Sequence, residues 1–382
     1  MVSCGEASGD LYAGALVHEL RALEPGVEVF GFGGGQFAAA GGALVADYRG
    51  HTVTGLAEVL MQLPRTYALY RQLVAEARTR RPDVFVAIDF PDFNFRLGQA
   101  LHKAGIPVVY YISPQLWAWR PGRLQTMKRF VDRVLPIFPF EEQLYRDAGI
   151  PVEFVGHPLI DLAKATEPRA TFLASQGLQP DAPTIALLPG SRPNELHAIL
   201  PGLMAATTRI RARVPRAQFV LARAPRLTDA LLEPAIRMRD ECRLPLAIVE
   251  GRADDVLAAS DVVLTASGTA TVQTALHERP MVIVYRLSPL TYTIGRPFVK
   301  IDTFGMVNLV SGKRIVPELI QDGFTPDTAA EAVLKLLLDQ NARDTMIGEI
   351  REVKRKLGGP GASGRAAAAI VRVARERAGR TQ

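Results

Sequence analysis

Short apolar runs alternate with amphipathic stretches along most of the chain. Residues 27–31, 84–88, 108–112, 134–138 and 152–155 read as strands, and 11–22, 67–80, 95–104, 122–130 and 141–147 as the helices between them. The strand runs are apolar throughout rather than alternating, which is what a sheet covered on both faces demands. After a polar pause over 160–183 the pattern restarts. Strands are expected at 184–188, 218–222, 246–249, 262–265 and 281–285, with helices at 196–214, 228–240, 253–259, 269–277 and 328–338. Repeated strand–helix–strand order predicts an α/β chain of two Rossmann-like, doubly wound parallel-sheet domains facing a cleft. The boundary falls near residue 165, giving domains over 1–165 and 166–350. A Gly358-Gly359-Pro360-Gly361 break precedes a last helix over 364–378.

Composition narrows the class. The chain has 382 residues, 48% apolar and 22% charged, which excludes a disordered, collagen-like or small disulfide-stapled protein. The net charge of +6 is local: residues 351–382 hold nine Lys/Arg against Glu352 and Glu376, so that tail is +7 and the rest is −1. A near-neutral body argues against a nucleic-acid partner, which expects a basic face on the folded domain. No apolar run is long enough to span a membrane, and the first residues lack the pattern of a secretory signal. Cys4 and Cys242 match no metal spacing and are expected to be buried free thiols in a cytoplasmic protein. Only four residues precede the first glycine loop, so the native start is expected a few residues upstream of Met1.

In doubly wound sheets, ligands bind at the carboxyl ends of the strands. Chemistry is therefore sought in the loops that follow them. Gly5-Glu6-Ala7-Ser8-Gly9-Asp10 opens a helix with small residues suited to an anion, with Glu6 and Ser8 as polar contacts. Gly31-Phe32-Gly33-Gly34-Gly35-Gln36 fails the dinucleotide fingerprint at its third glycine and reads as a tight turn. Ile88-Asp89-Phe90-Pro91-Asp92-Phe93-Asn94 puts Asp89 at a strand tip as a general base, with Asp92 or Asn94 capping the next helix, or with these roles exchanged. Ser113–Arg120 holds both tryptophans; Trp117, Trp119 and Arg120 suit an acceptor pocket, against the alternative of core aromatics at a sheet edge. Leu188-Pro189-Gly190-Ser191-Arg192 and Thr265-Ala266-Ser267-Gly268-Thr269 each lead a strand into a helix start, a device for a diphosphate. Gln273, one turn on, is placed to reach a ribose. Asn308 is expected in a loop over 303–310. His157, in Gly156-His157-Pro158, reads as structural more than as a ligand.

These motifs, in this order and over nearly the whole chain, resemble the lipid-A-disaccharide synthase family of GT-B glycosyltransferases. The carrying segments are GEASGDL at 5–11, IDFPDFN at 88–94, YISPQLWAWR at 111–120, VGHP at 155–158, LPGSR at 188–192, ASGTAT at 266–271, PMVIVYR at 280–286 and VNL at 307–309. The resemblance implies an inverting transfer from UDP-2,3-diacylglucosamine to lipid X, forming a β-1,6 disaccharide precursor of lipid A and releasing UDP. It implies Asp89 as base, Glu6 and Ser8 as activity-linked, and Ser191, Arg192, Ser267, Gly268, Thr269, Gln273 and Asn308 on the donor side. It implies neither metal nor cofactor, and a tail, 351–382, returning to the first domain. Where the family usually has Glu, this chain has Gln273.

Acylated substrates imply contact with an anionic membrane surface, and so a cytoplasmic protein held peripherally at the inner membrane. Leu56, Val59, Leu60 and Leu63, followed by Arg65, Arg71, Arg78, Arg80 and Arg81, fit an interfacial helix; core packing is the alternative. Homo-oligomerisation is left open. The competing functions are another UDP-N-acetylglucosamine enzyme of this fold (an epimerase or a muramyl-pathway transferase) and a non-catalytic nucleotide-binding module.

Overall fold

The structure, a computed structural model, describes residues 1–50, 56–116, 122–225, 227–287 and 303–378, with the side chains of 50, 56–62 and 378 left aside. The chain divides into two compact units: Met1–Asp161 with Leu357–Gln382, and Leu162–Lys356.

The first unit is built on β1 (Val2–Cys4), β2 (Phe30–Gly33), β3 (Ala43–Asp47), β4 (Phe85–Ile88), β5 (Val108–Tyr111) and β6 (Arg133–Leu135). They pair in parallel in the order β3-β2-β1-β4-β5-β6. β1, β2, β4 and β5 are buried along their whole length, as their continuous apolar sequences require. The second unit carries β7 (Thr184–Leu188), β8 (Gln218–Arg223), β9 (Leu246–Glu250), β10 (Val262–Ala266), β11 (Met281–Tyr285) and β12 (Glu318–Ile320). Their order, β12-β11-β10-β7-β8-β9, repeats the first, counted from each unit's first strand. Each chain path leaves its first strand in one direction and returns at the fourth to build the other side. The point of reversal lies between β1 and β4 in one sheet and between β7 and β10 in the other, which is where such sheets bind ligands.

Several elements differ from the sequence pattern. β2 begins at Phe30 rather than Val27. Residues 152–155 form no strand; Val152 makes one isolated bridge to Val134. The edge strands β3 and β12 escape the pattern because both are only partly buried and β12 has just three residues. Cys4 is buried, but Cys242 is exposed, since it falls in the polar turn just past the helix Asp229–Asp240.

The tail divides. Residues 351–356 finish the helix Gln340–Lys356 of the second unit, where Arg351 and Lys354 pair with Glu278. The last helix, Ala362–Ala378, packs on the helix Ala7–Leu23 of the first unit. Its buried face is Ala362, Ala366, Ala367, Ala369, Ile370 and Val373, and the four alanines let two helices approach closely. Its charges serve this docking. Arg365 donates to the carbonyls of Val155, Gly359 and Pro360 at 2.6–2.9 Å. Arg372 pairs with Glu153 and Arg375 with Glu24. The basic tail is thus spent largely within the fold.

His157 sits under this joint. It is buried, its Nδ1 accepts from the Leu159 N–H at 3.2 Å, and its ring meets Tyr12 and Phe138 edge-on. Burial pushes its pKa down to about 3. The folded state therefore refuses a proton that the unfolded chain takes up below its ordinary value near 6.5. The cost is absent above that value, grows as pH falls from it, and is complete below about 3. Between pH 6 and 4 the wild-type unfolding free energy should fall by about 1.4 kcal/mol per pH unit more than that of His157→Gln. Denaturant melts across pH measure this, and parallel slopes would contradict it.

Candidate active site

In the first unit, Cys4 pairs with Ile88 across the point of reversal, so the loops after β1 and β4 leave the sheet side by side. They interlock at Gly5. A Cβ there would lie 2.4 Å from the Phe90 ring, so only glycine lets Phe90 close over the β1 tip. Asp89 and Phe90 both adopt the left-handed region, with φ of 46° and 49°. Two adjacent non-glycine residues there cost roughly 1–3 kcal/mol each, and the surrounding bonds hold them. The Asp89 N–H donates to the Ile112 carbonyl at 3.2 Å. Its carbonyl accepts from the Tyr110 hydroxyl and from Asn94 Nδ2, both at 2.8 Å. The backbone of Asp89 is thus fixed on both sides, with the residue half-buried at the strand tip.

The sequence offers Asp92 or Asn94 as the helix cap; neither serves as one. The helix Pro91–Lys103 is instead entered through left-handed Phe90, with Pro91 at its first position, and without a side-chain cap. Buried Asn94 ties the strand tips. Its Nδ2 donates to the carbonyls of Ser3, Ile88 and Asp89, and its Oδ1 accepts from the Ser3 hydroxyl at 2.7 Å. Asp92 pairs with Arg123.

Glu6 occupies the position before the helix Ala7–Leu23, and Ser8 lies in its first turn; both are half-buried. Asp10, buried in the same segment, has a role the motif did not disclose. Its carboxylate accepts from the N–H groups of Gly34, Gln36 and Phe37 at 2.8–3.0 Å. It holds the tight turn after β2 against the β1 loop. A run of glycine N–H groups lacking an acceptor was the available signal. Trp117, Trp119 and Arg120 lie outside the described residues. Leu56, Val59 and Leu60 fall in the helix Leu56–Arg80, outside the described side chains. Leu63 and Tyr67, one turn apart, are 51% and 63% exposed.

In the second unit, Leu188 pairs with Thr265, so the LPGSR and ASGT loops also emerge together. Gly190 has φ +113°, and a Cβ there would meet Glu195 Oε2 at 2.4 Å. Glu195 folds back to accept from the N–H groups of Ser191 and Arg192 at 3.0 and 3.3 Å. Those donors were expected for a diphosphate; here an acid of the first helical turn already occupies them. Ser191 and the Arg192 guanidinium are exposed. Across the junction, Gly268 and Thr269 are exposed at the start of the helix Thr269–Leu276, which has no acid in its first turn. Of the two helix starts it is the one more open to negative charge. Ser267 donates to the Phe304 carbonyl at 2.9 Å. Gln273 does not stand alone: its Nε2 donates to Asp254 Oδ1 at 2.8 Å.

Asn308 lies in the helix Met306–Ser311 rather than a loop, and it is buried. Its amide accepts from the N–H groups of Ile315 and Val316 and donates to the Val316 carbonyl and Glu318. Both amide donors and its carbonyl oxygen are thus engaged within the protein, bracing the segment whose Phe304 carbonyl receives Ser267. Glu318, which also accepts from Phe304 and Gly305 N–H groups, completes that brace. Among the described residues, no three His, Cys, Asp or Glu converge on a metal-sized site.

The family model described as lipid-A-disaccharide synthetase matches residues 1–369. A lipid-A-disaccharide synthase of Anaeromyxobacter dehalogenans is 44% identical over 375 residues, 98% of this chain and 97% of that protein. One from Myxococcus xanthus is 42% identical over 371 residues, 97% and 96%. Among solved structures, a UDP-GlcNAc 2-epimerase from Neisseria meningitidis bound to UDP-GlcNAc aligns with a TM-score of 0.71 at 13% identity, covering 97% and 99%. The calicheamicin glycosyltransferase aligns at 0.60 with 18% identity, covering 97% and 96%. These last two share the fold alone, the GT-B arrangement of two Rossmann-like units. The sequence match decides the rest: the chain belongs to the lipid-A-disaccharide synthase family of glycosyltransferases.

Proposed function

We propose that this enzyme transfers a 2,3-diacylglucosamine unit from UDP-2,3-diacylglucosamine to the 6-hydroxyl of lipid X, 2,3-diacylglucosamine 1-phosphate. The hydroxyl oxygen attacks the sugar C1 as the C1–O bond to UDP breaks. The hydroxyl proton goes to the Asp89 carboxylate, and UDP leaves with the bonding pair. One displacement turns an α-linked donor into a β-linked product. The observation that carries this reading is the meeting of the Glu6–Ser8 and Asp89 loops at the reversal point of the first sheet, in a chain matched to the family over residues 1–369.

The roles divide between the units. Asp89 is the base, with Glu6 and Ser8 beside it. Ser267, Gly268 and Thr269 take the diphosphate at a helix start, with Ser191 and Arg192 across from them. Stabilising charge on the leaving group is commonly the largest single contribution to such a transfer. Trp117, Trp119 and Arg120 are assigned to the acceptor pocket. The exposed Leu63 and Tyr67 support a peripheral membrane contact by that helix, to which Leu56, Val59 and Leu60 are also assigned. The membrane-facing side is then the first unit, in a cytoplasmic enzyme at the inner membrane. Among the described residues, no helix is long and apolar enough to cross a membrane.

UDP should be released from UDP-2,3-diacylglucosamine only when lipid X is present, with one disaccharide formed per UDP. Coupled detection of UDP and mass spectrometry of the lipid product test this. Donor turnover without acceptor would favour an epimerase, and nucleotide binding without turnover a binding module. Asn94→Leu tests the support of the base. Loss of its buried hydrogen bonds should cost about 2–4 kcal/mol of stability, and kcat should fall much more than KM rises. An unchanged kcat would show that Asp89 needs no such tie.

A further inference from the structure

Asp254 belongs to no sequence motif, yet it sits against the helix that follows the ASGT loop. It lies in the first turn of the helix Ala253–Ala259, after β9. Its Oδ1 accepts from Gln273 Nε2 at 2.8 Å and meets His277 Nε2 at 2.7 Å. Gln273 and His277 are four residues apart, so they flank this oxygen from one helix face. The His277 side chain is 10% exposed and that of Asp254 25%. Asp254 Oδ2 has no protein partner among the described residues. The cluster therefore holds one carboxylate oxygen between two donors and leaves the other without a protein partner, in a side chain that keeps a quarter of its surface exposed.

The amide is oriented by the same bond. With its NH2 committed to Asp254, Gln273 presents its carbonyl oxygen away from that contact. The second carboxylate oxygen and the amide oxygen are two acceptors, and Gln273 lies one turn past the exposed Gly268–Thr269 helix start. Two neighbouring acceptors, one charged, are what a vicinal diol asks for, since each hydroxyl donates once. We infer that Asp254 supplies the charged acceptor for the ribose diol of a uridine diphosphate, with Gln273 as its amide partner and His277 as the residue that positions it. The carboxylate missing at position 273 is then present in space, carried by a neighbouring helix. This rests on the nucleotide-sugar reading given above. It also changes what Gln273→Glu should do: a second carboxylate beside Asp254 repels it and removes the donor that orients it.

Calorimetric binding of UDP and 2′-deoxy-UDP to the full chain tests the inference. The wild type should prefer UDP by about tenfold or more, the scale of a charge-assisted hydrogen bond. Asp254→Asn keeps an acceptor for Gln273 but loses the charge, and should bring the two affinities close together. Gln273→Glu should weaken UDP binding, and adding Asp254→Asn to it should restore binding. Equal wild-type affinities, a preference that survives in Asp254→Asn, or tighter binding by Gln273→Glu would each overturn the assignment. No binding of either nucleotide by the wild type would instead overturn the donor reading beneath it.

Discussion

Parallel pairing of the first strand of each unit with its fourth is the constraint on which the rest depends. A doubly wound sheet must reverse its direction of growth once, and the two strands at that reversal send their following loops out together. In the first unit β1 and β4 do this, and in the second β7 and β10. Segments some 80 residues apart in sequence thereby become neighbours. The candidate residues are local to those loops; the topology brings them together.

The junctions are then fixed by different means. At the first, hydrogen bonds hold a strained backbone: Asp89 and Phe90 are left-handed, and Asn94, Tyr110 and Ile112 grip Asp89 at its N–H and carbonyl. A strand-tip residue gripped at its main chain has little freedom to reorient, which is what the proposed role of Asp89 asks of it. At the second, carboxylates do the bracing. Glu195 occupies N–H groups behind Gly190, and Glu318 holds the start of the helix Met306–Ser311. The ASGT helix start is left without an acid of its own in the first turn, so negative charge from a ligand is most welcome there.

Much of this was legible in the residues. Continuous apolar runs marked the central strands, and glycine-rich segments after them marked the loops. What escaped were features set by tertiary partners. Asn94 looks like a cap in sequence, because Asn before a helical stretch commonly is one, but Ser3 lies 91 residues away and claims it. Asn308 and Asp254 are decided by contacts from other helices and from an edge strand too short to show a pattern. The tail misleads in the opposite sense: its charge is conspicuous in sequence, yet Arg365, Arg372 and Arg375 spend theirs on the first unit.

The central claim is that the carboxylate at the β4 tip removes the acceptor proton. Single-turnover disaccharide formation by Asp89→Asn, compared with the wild type at equal donor occupancy, tests it most directly. The amide fills the same space and leaves the backbone grip intact, so the unfolding midpoint and donor affinity should hold while the rate falls about 10²–10⁴-fold. A folded, donor-binding Asp89→Asn enzyme with a rate near that of the wild type would contradict the claim.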